Sequence, residues 1–178
     1  MCGIVGYIGE EKCIPRIISG LESLEYRGYD SAGLVLSTKD GFQLAKTKGK
    51  VVDLEEKTSE LTLTPNIGIG HTRWATHGVP NDVNSHPHLS NNGRLVIVHN
   101  GIIENYEVIK KLLIEKGFIF HSDTDTEVLV NFIQYFQDEK DLNLTDAVRA
   151  ALNEVIGAYA IAVLDNQDPD TVVVGRLG

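Results

Sequence analysis

The sequence predicts one domain of mixed α and β structure, in which largely antiparallel sheets carry helices packed on their outer faces. Three observations lead to this prediction: strands outnumber helices, several strands are joined by short turns, and the helical segments carry apolar stripes. The length of 178 residues suits a single domain. At this size folding buries roughly 70% of the unfolded chain's surface, so no stabilising disulfides are needed.

The predicted strands are short runs rich in apolar and β-branched residues. They lie at 3–8, 32–37, 42–47, 67–72, 94–100, 158–165 and 171–176. The last two are expected to form a hairpin around the turn residues NQDPD.

The predicted helices lie at 13–25, 51–58, 104–116, 125–137 and 144–156, and the apolar residues of 13–25 and 125–137 follow helical spacing. Pro15 suits the first turn of the first helix, and Gly28 suits its end.

Composition and charge exclude several classes of function. The apolar content of 42% and charged content of 23% are typical of soluble globular proteins. A net charge of −9 without a basic patch argues against nucleic-acid binding. No secretory signal or bilayer-spanning apolar stretch is present, and Cys2 and Cys13 do not make a disulfide framework. We therefore expect a cytoplasmic protein with neither a nucleic acid nor a membrane as its partner.

Cys2 stands directly behind Met1, at the start of the first predicted strand. If an aminopeptidase removes Met1, Cys2 carries both a thiol and a free α-amine. Such an amine has a pKa of about 7.7–8.0, which suits a general base that activates the nearby thiol. A retained Met1 would acylate the amine and remove the base. The alternative is that Cys2 is a small apolar residue at the beginning of a strand.

Two further polar clusters each follow a predicted buried strand, HTRWATHG at 71–78 and HNGIIENY at 99–106. The planar guanidinium of Arg73 suits bidentate recognition of a carboxylate, although a structural ion pair is equally compatible with this stretch. Asn100 and Gly101 are typical of a turn, but a side-chain amide beside a glycine N–H can also stabilise a developing oxyanion.

The cluster SDTDTE at 122–127 offers acidic side chains for a cation or a substrate ammonium, or the N-terminus of a helix. It fails as a calcium loop because Val128 stands where that loop requires glycine. The six histidines match no metal-binding spacing, and the glycines of GIVGYIG do not form a dinucleotide fingerprint. We therefore expect neither a metal ion nor a cofactor.

Six blocks, in this order, resemble the class II glutamine amidotransferases, which are N-terminal nucleophile hydrolases: MCGIVGYIG, LEYRGYDSAG, HTRWATHG, VNSHPH, VHNGIIENY and SDTDTEV. They span residues 1 to about 128, and RGYDSAG and HTRWATHG resemble the amino-sugar branch of the family. The resemblance implies an α+β fold, a four-layer αββα sandwich with two mainly antiparallel sheets. It also implies that residues 1–178 are a glutaminase domain acting on L-glutamine. The sugar-isomerase domains, with a fructose 6-phosphate site, would lie outside this chain in a homo-oligomeric enzyme.

The resemblance also implies roles for individual residues. Cys2 would be the nucleophile, with Asn100 and Gly101 forming the oxyanion hole. Supporting or gating positions are implied at Arg27, Tyr29 and His86.

Substrate binding is implied for five residues. Arg73 would bind the α-carboxylate of glutamine, helped by Thr76 and His77. Asp125 would pair with the α-ammonium group, and Trp74 would belong to a loop that closes over the substrate.

Two other functions compete with this interpretation. The chain could be a binding module that captures glutamine without hydrolysing it, but Cys2, Asn100 and Gly101 are all present. It could also serve a different acceptor, as in phosphoribosyl amine formation.

Overall fold

The structure, a computed structural model, describes residues 2–61, 65–75 and 78–178. These residues form two four-stranded antiparallel sheets, with strand orders β1-β4-β2-β3 and β5-β6-β7-β8. The strands are β1 (Gly3–Ile8), β2 (Ser31–Thr38), β3 (Gly41–Lys48), β4 (Ile67–Arg73), β5 (His88–Leu89), β6 (Leu95–Gly101), β7 (Tyr159–Asp165) and β8 (Asp168–Leu177). The helices are α1 (Cys13–Leu24), α2 (Val51–Thr58), α3 (Tyr106–Glu115), α4 (Asp125–Lys140) and α5 (Leu144–Glu154), with a 3₁₀ turn at Glu25–Arg27.

Alternation along the strands divides the core into three apolar layers. In β2, Leu34 and Leu36 pack with α1 and α2, whereas Val35 faces the second sheet. In β6, Ile97 packs with the helices α3, α4 and α5, whereas Val98 faces the first sheet. The secondary structure therefore stacks in the order helices, first sheet, second sheet, helices, with one apolar layer between each pair of neighbours. This order confirms the predicted αββα sandwich.

The predicted strands and helices are all present, and the bounds of α2 are those predicted. The turn of the last hairpin was predicted wrongly, because β8 already begins at Asp168 and only residues 166–167 form the turn. Pro169 is tolerated within β8 because β8 is the edge strand of its sheet. The two-residue strand β5 and the 3₁₀ turn were not predicted from the sequence.

The described part of the chain contains no helix that is both long enough and apolar enough to cross a bilayer.

Candidate active site

A cavity of about 530 Å³ opens at one end of the sandwich. The alternation that buries Ile69 and Val98 between the sheets also directs later residues of the same strands into this cavity, namely Arg73 of β4 and Asn100 of β6. The lining residues are Cys2, Arg27, His71, Arg73, Trp74, His86, His99, Asn100, Gly101, Ile102, Thr124, Asp125 and Thr126. The ends of the two central strands therefore bring together residues that are far apart in the sequence.

Cys2 is held at the edge of this cavity rather than left to fray. The N–H of Gly3 donates to Thr72 Oγ1 at 3.1 Å, and β1 pairs with β4 from Gly3 onward. The Trp74 N–H donates to Cys2 Sγ at 3.1 Å, and Asn100 Nδ2 donates to the Cys2 carbonyl oxygen at 3.2 Å. Both the backbone and the sulfur of Cys2 are therefore fixed by neighbouring strands and loops.

Asn100 and Gly101 end β6 and also line the cavity. The Asn100 amide is held on both sides, since its Nδ2 donates to Cys2 and its Oδ1 lies 2.7 Å from His71 Nε2. Gly101 has a φ of +121°, and a Cβ at this position would lie 2.1 Å from the carbonyl oxygen of Ala158. Only glycine fits there, because the backbone at this position lies close to that of Ala158.

Two buried side chains of opposite charge line the cavity, Arg73 and Asp125, each with 3% of its surface exposed. Burial lowers the pKa of Arg73, an effect opposed by the carboxylates of Asp30 and Asp125 and by Cys2. The Asp125 carboxylate accepts from the N–H of Ile103 at 2.8 Å. Such a pair suits a ligand that carries an anionic group and a cationic group close together.

Asp125 owes its position to the start of helix α4. Thr124 is the N-cap, and its hydroxyl oxygen accepts from the N–H of Glu127 at 3.2 Å. The Glu127 carboxylate does not line the cavity, because it accepts from the N–H groups of His121 and Ser122 at 2.9 Å and 2.7 Å. The helix-terminus interpretation of SDTDTE is therefore right, and within it Asp125 is the acidic residue that reaches the cavity.

The loop after β4 places Trp74 in the lining of the cavity, with 55% of its surface exposed. Asp30 holds this loop, because its N–H donates to the Arg73 carbonyl oxygen at 2.7 Å and its carboxylate accepts from the N–H of Ala75. Sequence reasoning quoted the block RGYDSAG but assigned no role to Asp30. The presence of an acidic residue within that block was the signal from which a role for Asp30 could have been predicted.

The remaining predicted site residues have different outcomes. Arg27 lines the cavity. Tyr29 is not among the lining residues and lies beside Glu25, where burial and that carboxylate raise its pKa. Thr76 and His77 fall outside the described residues.

Three buried histidines line the cavity, namely His71, His86 and His99, and a fourth buried histidine, His88, packs edge-on against His86. Burial lowers the pKa of His71 to about 3 and lowers those of His86 and His88 well below the usual value, so these three rings are neutral at pH 7. Among the described residues, no three His, Cys, Asp or Glu side chains are grouped so that they could hold a metal ion.

The segment that carries His86 depends on a close backbone approach. A Cβ at Gly33 in β2 would lie 1.9 Å from the carbonyl oxygen of His86, so only glycine allows this segment to lie against the sheet. Gly33 of the block RGYDSAG therefore allows His86 to reach the lining of the cavity.

Comparison with known proteins identifies the family. The model of a family described as a glutamine amidotransferase domain matches residues 57–178. A glutamine–fructose-6-phosphate aminotransferase (isomerizing) of Bacteroides thetaiotaomicron is 54% identical over 177 residues, which is 99% of this chain and 29% of that protein. A protein of the same name from Pyrococcus horikoshii is 48% identical over 180 residues, again 99% of this chain and 29% of that protein. The chain thus spans less than a third of the length of these relatives.

Solved structures give the same assignment. The allosteric regulatory enzyme of purine biosynthesis superimposes with a TM-score of 0.83 at 29% identity, over 99% of this chain and 37% of that one. The glutamine phosphoribosylpyrophosphate amidotransferase of B. subtilis gives a TM-score of 0.77 at 28% identity, over 93% of this chain and 35% of that one. The fold, the family match and these similarities agree, and the chain belongs to the glutamine amidotransferase domain family.

Proposed function

We propose that this domain hydrolyses the side-chain amide of L-glutamine through a γ-glutamyl thioester on Cys2. The observation that carries the proposal is the composition of one cavity. It brings together a thiol, the Asn100–Gly101 donors and the buried charges of Arg73 and Asp125.

The two charged residues would select the amino-acid end of the substrate. The Arg73 guanidinium would bind the α-carboxylate, and the Asp125 carboxylate would bind the α-ammonium group. Sites built to pair such groups reject analogues that lack them, because a buried charge would be left unpaired. Thr76 and His77 would assist Arg73, and Trp74 would cover the bound substrate.

The proposed chemistry has two steps. The Cys2 thiolate attacks the amide carbon, forming a C–S bond, while Asn100 Nδ2 and the Gly101 N–H stabilise the oxyanion. The C–N bond then breaks, and the amine leaves as ammonia after taking up a proton. Water next attacks the thioester, which releases glutamate and restores the thiol.

The proposed base is the α-amine of Cys2, acting through water, so the active form lacks Met1. A reactive thiol that forms no disulfide fits a cytoplasmic location. Neither step needs a cofactor.

We further propose that residues 1–178 supply ammonia to sugar-isomerase domains elsewhere in a longer, homo-oligomeric enzyme that converts fructose 6-phosphate to glucosamine 6-phosphate. The curated relatives with that name are 47–54% identical to this chain, which favours this acceptor. The structural neighbours from purine synthesis are only 28–29% identical. A phosphoribosyl acceptor is therefore the second candidate, and a binding module without hydrolysis is the third.

The test begins by confirming through intact mass that Met1 is absent. Glutamate release from L-glutamine is then measured for the unsubstituted protein, for Cys2→Ala and for the buried-cysteine control Cys13→Ala. The proposal expects release from the unsubstituted protein and from Cys13→Ala, and none from Cys2→Ala. Release by Cys2→Ala, or no release by the correctly processed and folded protein, would contradict it.

A further inference from the structure

The second contact of the Asn100 side chain has a consequence for catalysis. The Cys2 carbonyl oxygen can only accept a hydrogen bond, so the Asn100 group 3.2 Å from it must be the NH₂ group. The Asn100 amide oxygen therefore faces His71 Nε2 at 2.7 Å, and because that oxygen can only accept, His71 must carry its proton on Nε2. His71 thus donates to the side chain whose other end contacts the backbone of Cys2.

The ring of His71 is itself held in place. It stacks on the ring of His86, with ring centroids 4.1 Å apart and planes 13° from parallel. The backbone N–H of His99 donates to His86 Nδ1 at 3.2 Å, which places the His86 proton on Nε2, and this group donates to Thr126 Oγ1 at 3.3 Å. Strand β6 and helix α4 therefore fix His86, and His86 fixes the plane of His71.

We propose that His71 is a positioning residue that orients and polarises the Asn100 amide for stabilisation of the oxyanion. This inference rests on the proposed function and deepens it. A hydrogen bond donated to an amide oxygen makes the NH₂ group of the same amide a stronger donor. The neutral state of His71, which burial enforces, gives that hydrogen bond without placing a second positive charge beside Arg73.

Two amide substitutions separate this role from simple packing. In His71→Gln the side-chain NH₂ reaches about as far as Nε2 and can still donate to Asn100. In His71→Asn the same group is one methylene shorter and cannot. Both variants lose the ring stack on His86, so a purely structural role would affect them alike.

The expected result is a split between kcat and KM. Since loss of an entire oxyanion donor lowers kcat by about 100- to 1,000-fold, loss of its orientation in His71→Asn should lower kcat by about 10- to 100-fold. KM for glutamine should stay within about twofold, because Arg73 and Asp125 are untouched, and His71→Gln should retain most of kcat. The Cys2 thiol adds to the carbonyl carbon of an aldehyde analogue of glutamine, and the thiol proton passes to the resulting oxyanion. The affinity of the domain for this analogue should therefore fall in parallel with kcat/KM.

A second measurement does not depend on activity. Long-range ¹H–¹⁵N spectra of ¹⁵N-labelled protein, with His71→Gln used for assignment, should show His71 as the neutral Nε2–H tautomer at pH 7. The NH₂ resonances of the Asn100 side chain should shift in His71→Asn and move less in His71→Gln. Melting temperatures establish that both variants are folded.

Three results would overturn the proposal: equal losses of kcat in both variants, a loss confined to KM, or a His71 protonated on Nδ1 alone. If the unsubstituted protein releases no glutamate, the proposed function fails, and the spectra still decide whether His71 positions Asn100.

Discussion

Substitution of Asp125 by asparagine tests the role proposed for the carboxylate at the start of α4. One carboxylate oxygen accepts from the N–H of Ile103 at 2.8 Å, and the amide oxygen of asparagine can accept the same bond. The other oxygen becomes an NH₂ group, which repels an ammonium ion instead of pairing with it. The variant therefore keeps the shape and the backbone contact of Asp125 while its negative charge is lost.

The magnitude follows from the burial of this carboxylate, which has 3% of its surface exposed. Removing one partner of a buried, hydrogen-bonded charge pair costs about 2–5 kcal/mol. Because 1.4 kcal/mol corresponds to a tenfold change, kcat/KM for L-glutamine should fall between about 30-fold and about 4,000-fold. The helix also loses a favourable charge near its N-terminus, which should lower the free energy of unfolding by about 0.3–1 kcal/mol.

The assay compares two substrates. Ammonia release is measured with L-glutamine and with the same molecule lacking its α-amino group. The loss should appear only with L-glutamine, because the second substrate has no ammonium for Asp125 to bind. Asp123→Asn is the matched control, since this exposed carboxylate lies two residues earlier in the chain and outside the cavity lining. Equal losses on both substrates would refute the assignment of Asp125 to the ammonium group.

Three further predictions concern other parts of the domain. Gly101→Ala should abolish measurable glutamate release and lower the melting temperature, because φ is +121° and the new Cβ would lie 2.1 Å from a backbone oxygen; normal activity would contradict this. Arg73→Lys should lower kcat/KM for glutamine by about 10- to 100-fold, since lysine keeps the charge but loses bidentate geometry; an unchanged value in steady-state assays would count against carboxylate binding. Arg94 donates to the buried Asp165 carboxylate at 2.8–3.1 Å, and Asp165→Asn removes this charged partner. The free energy of unfolding, measured in urea, should therefore fall by about 3 kcal/mol.

The lowered pKa of Asp165 predicts that the stability of the domain depends on pH. Burial alone would raise the pKa of Asp165, but hydrogen bonds from Arg94, Gln167 and Gln137 outweigh it and lower the pKa. A carboxyl group with a lowered pKa in the folded state stabilises the protein above its unfolded pKa of about 3.9. That contribution disappears as the pH falls through the folded value. Urea titrations from pH 7 to pH 2 should show this loss in the unsubstituted protein and a smaller one in Asp165→Asn.

Local patterns in the sequence predicted most of the fold. The helix α2 was predicted at its observed bounds, and alternation located all four ends of β2 and β3 to within one residue. The two-residue strand β5 has no periodicity to detect, because its existence depends on pairing with β6. The turn after Asp165 was misplaced because Pro169 normally interrupts strands, and only its place on an edge strand allows β8 to continue through it.

Part of the candidate site could also be predicted from local patterns in the sequence. Polar residues at the ends of buried strands, such as Arg73 and Asn100, stand out because a core does not require them. His71 did not stand out, since its contacts with Asn100 and with the ring of His86 join segments that the sequence keeps apart. Asp30 was missed for the same reason, because its carboxylate accepts a hydrogen bond from the N–H of Ala75, which lies 45 residues later in the chain.

Covalent labelling of Cys2 tests the central claim most directly. A chloromethyl ketone analogue of glutamine, in which the electrophilic carbon replaces the amide nitrogen, is added to protein without Met1, and peptide mass mapping locates the adduct. The account predicts one adduct on Cys2 that excess L-glutamine prevents, together with complete loss of glutamate release. Labelling at another residue, or glutamate release by protein fully labelled at Cys2, would contradict it.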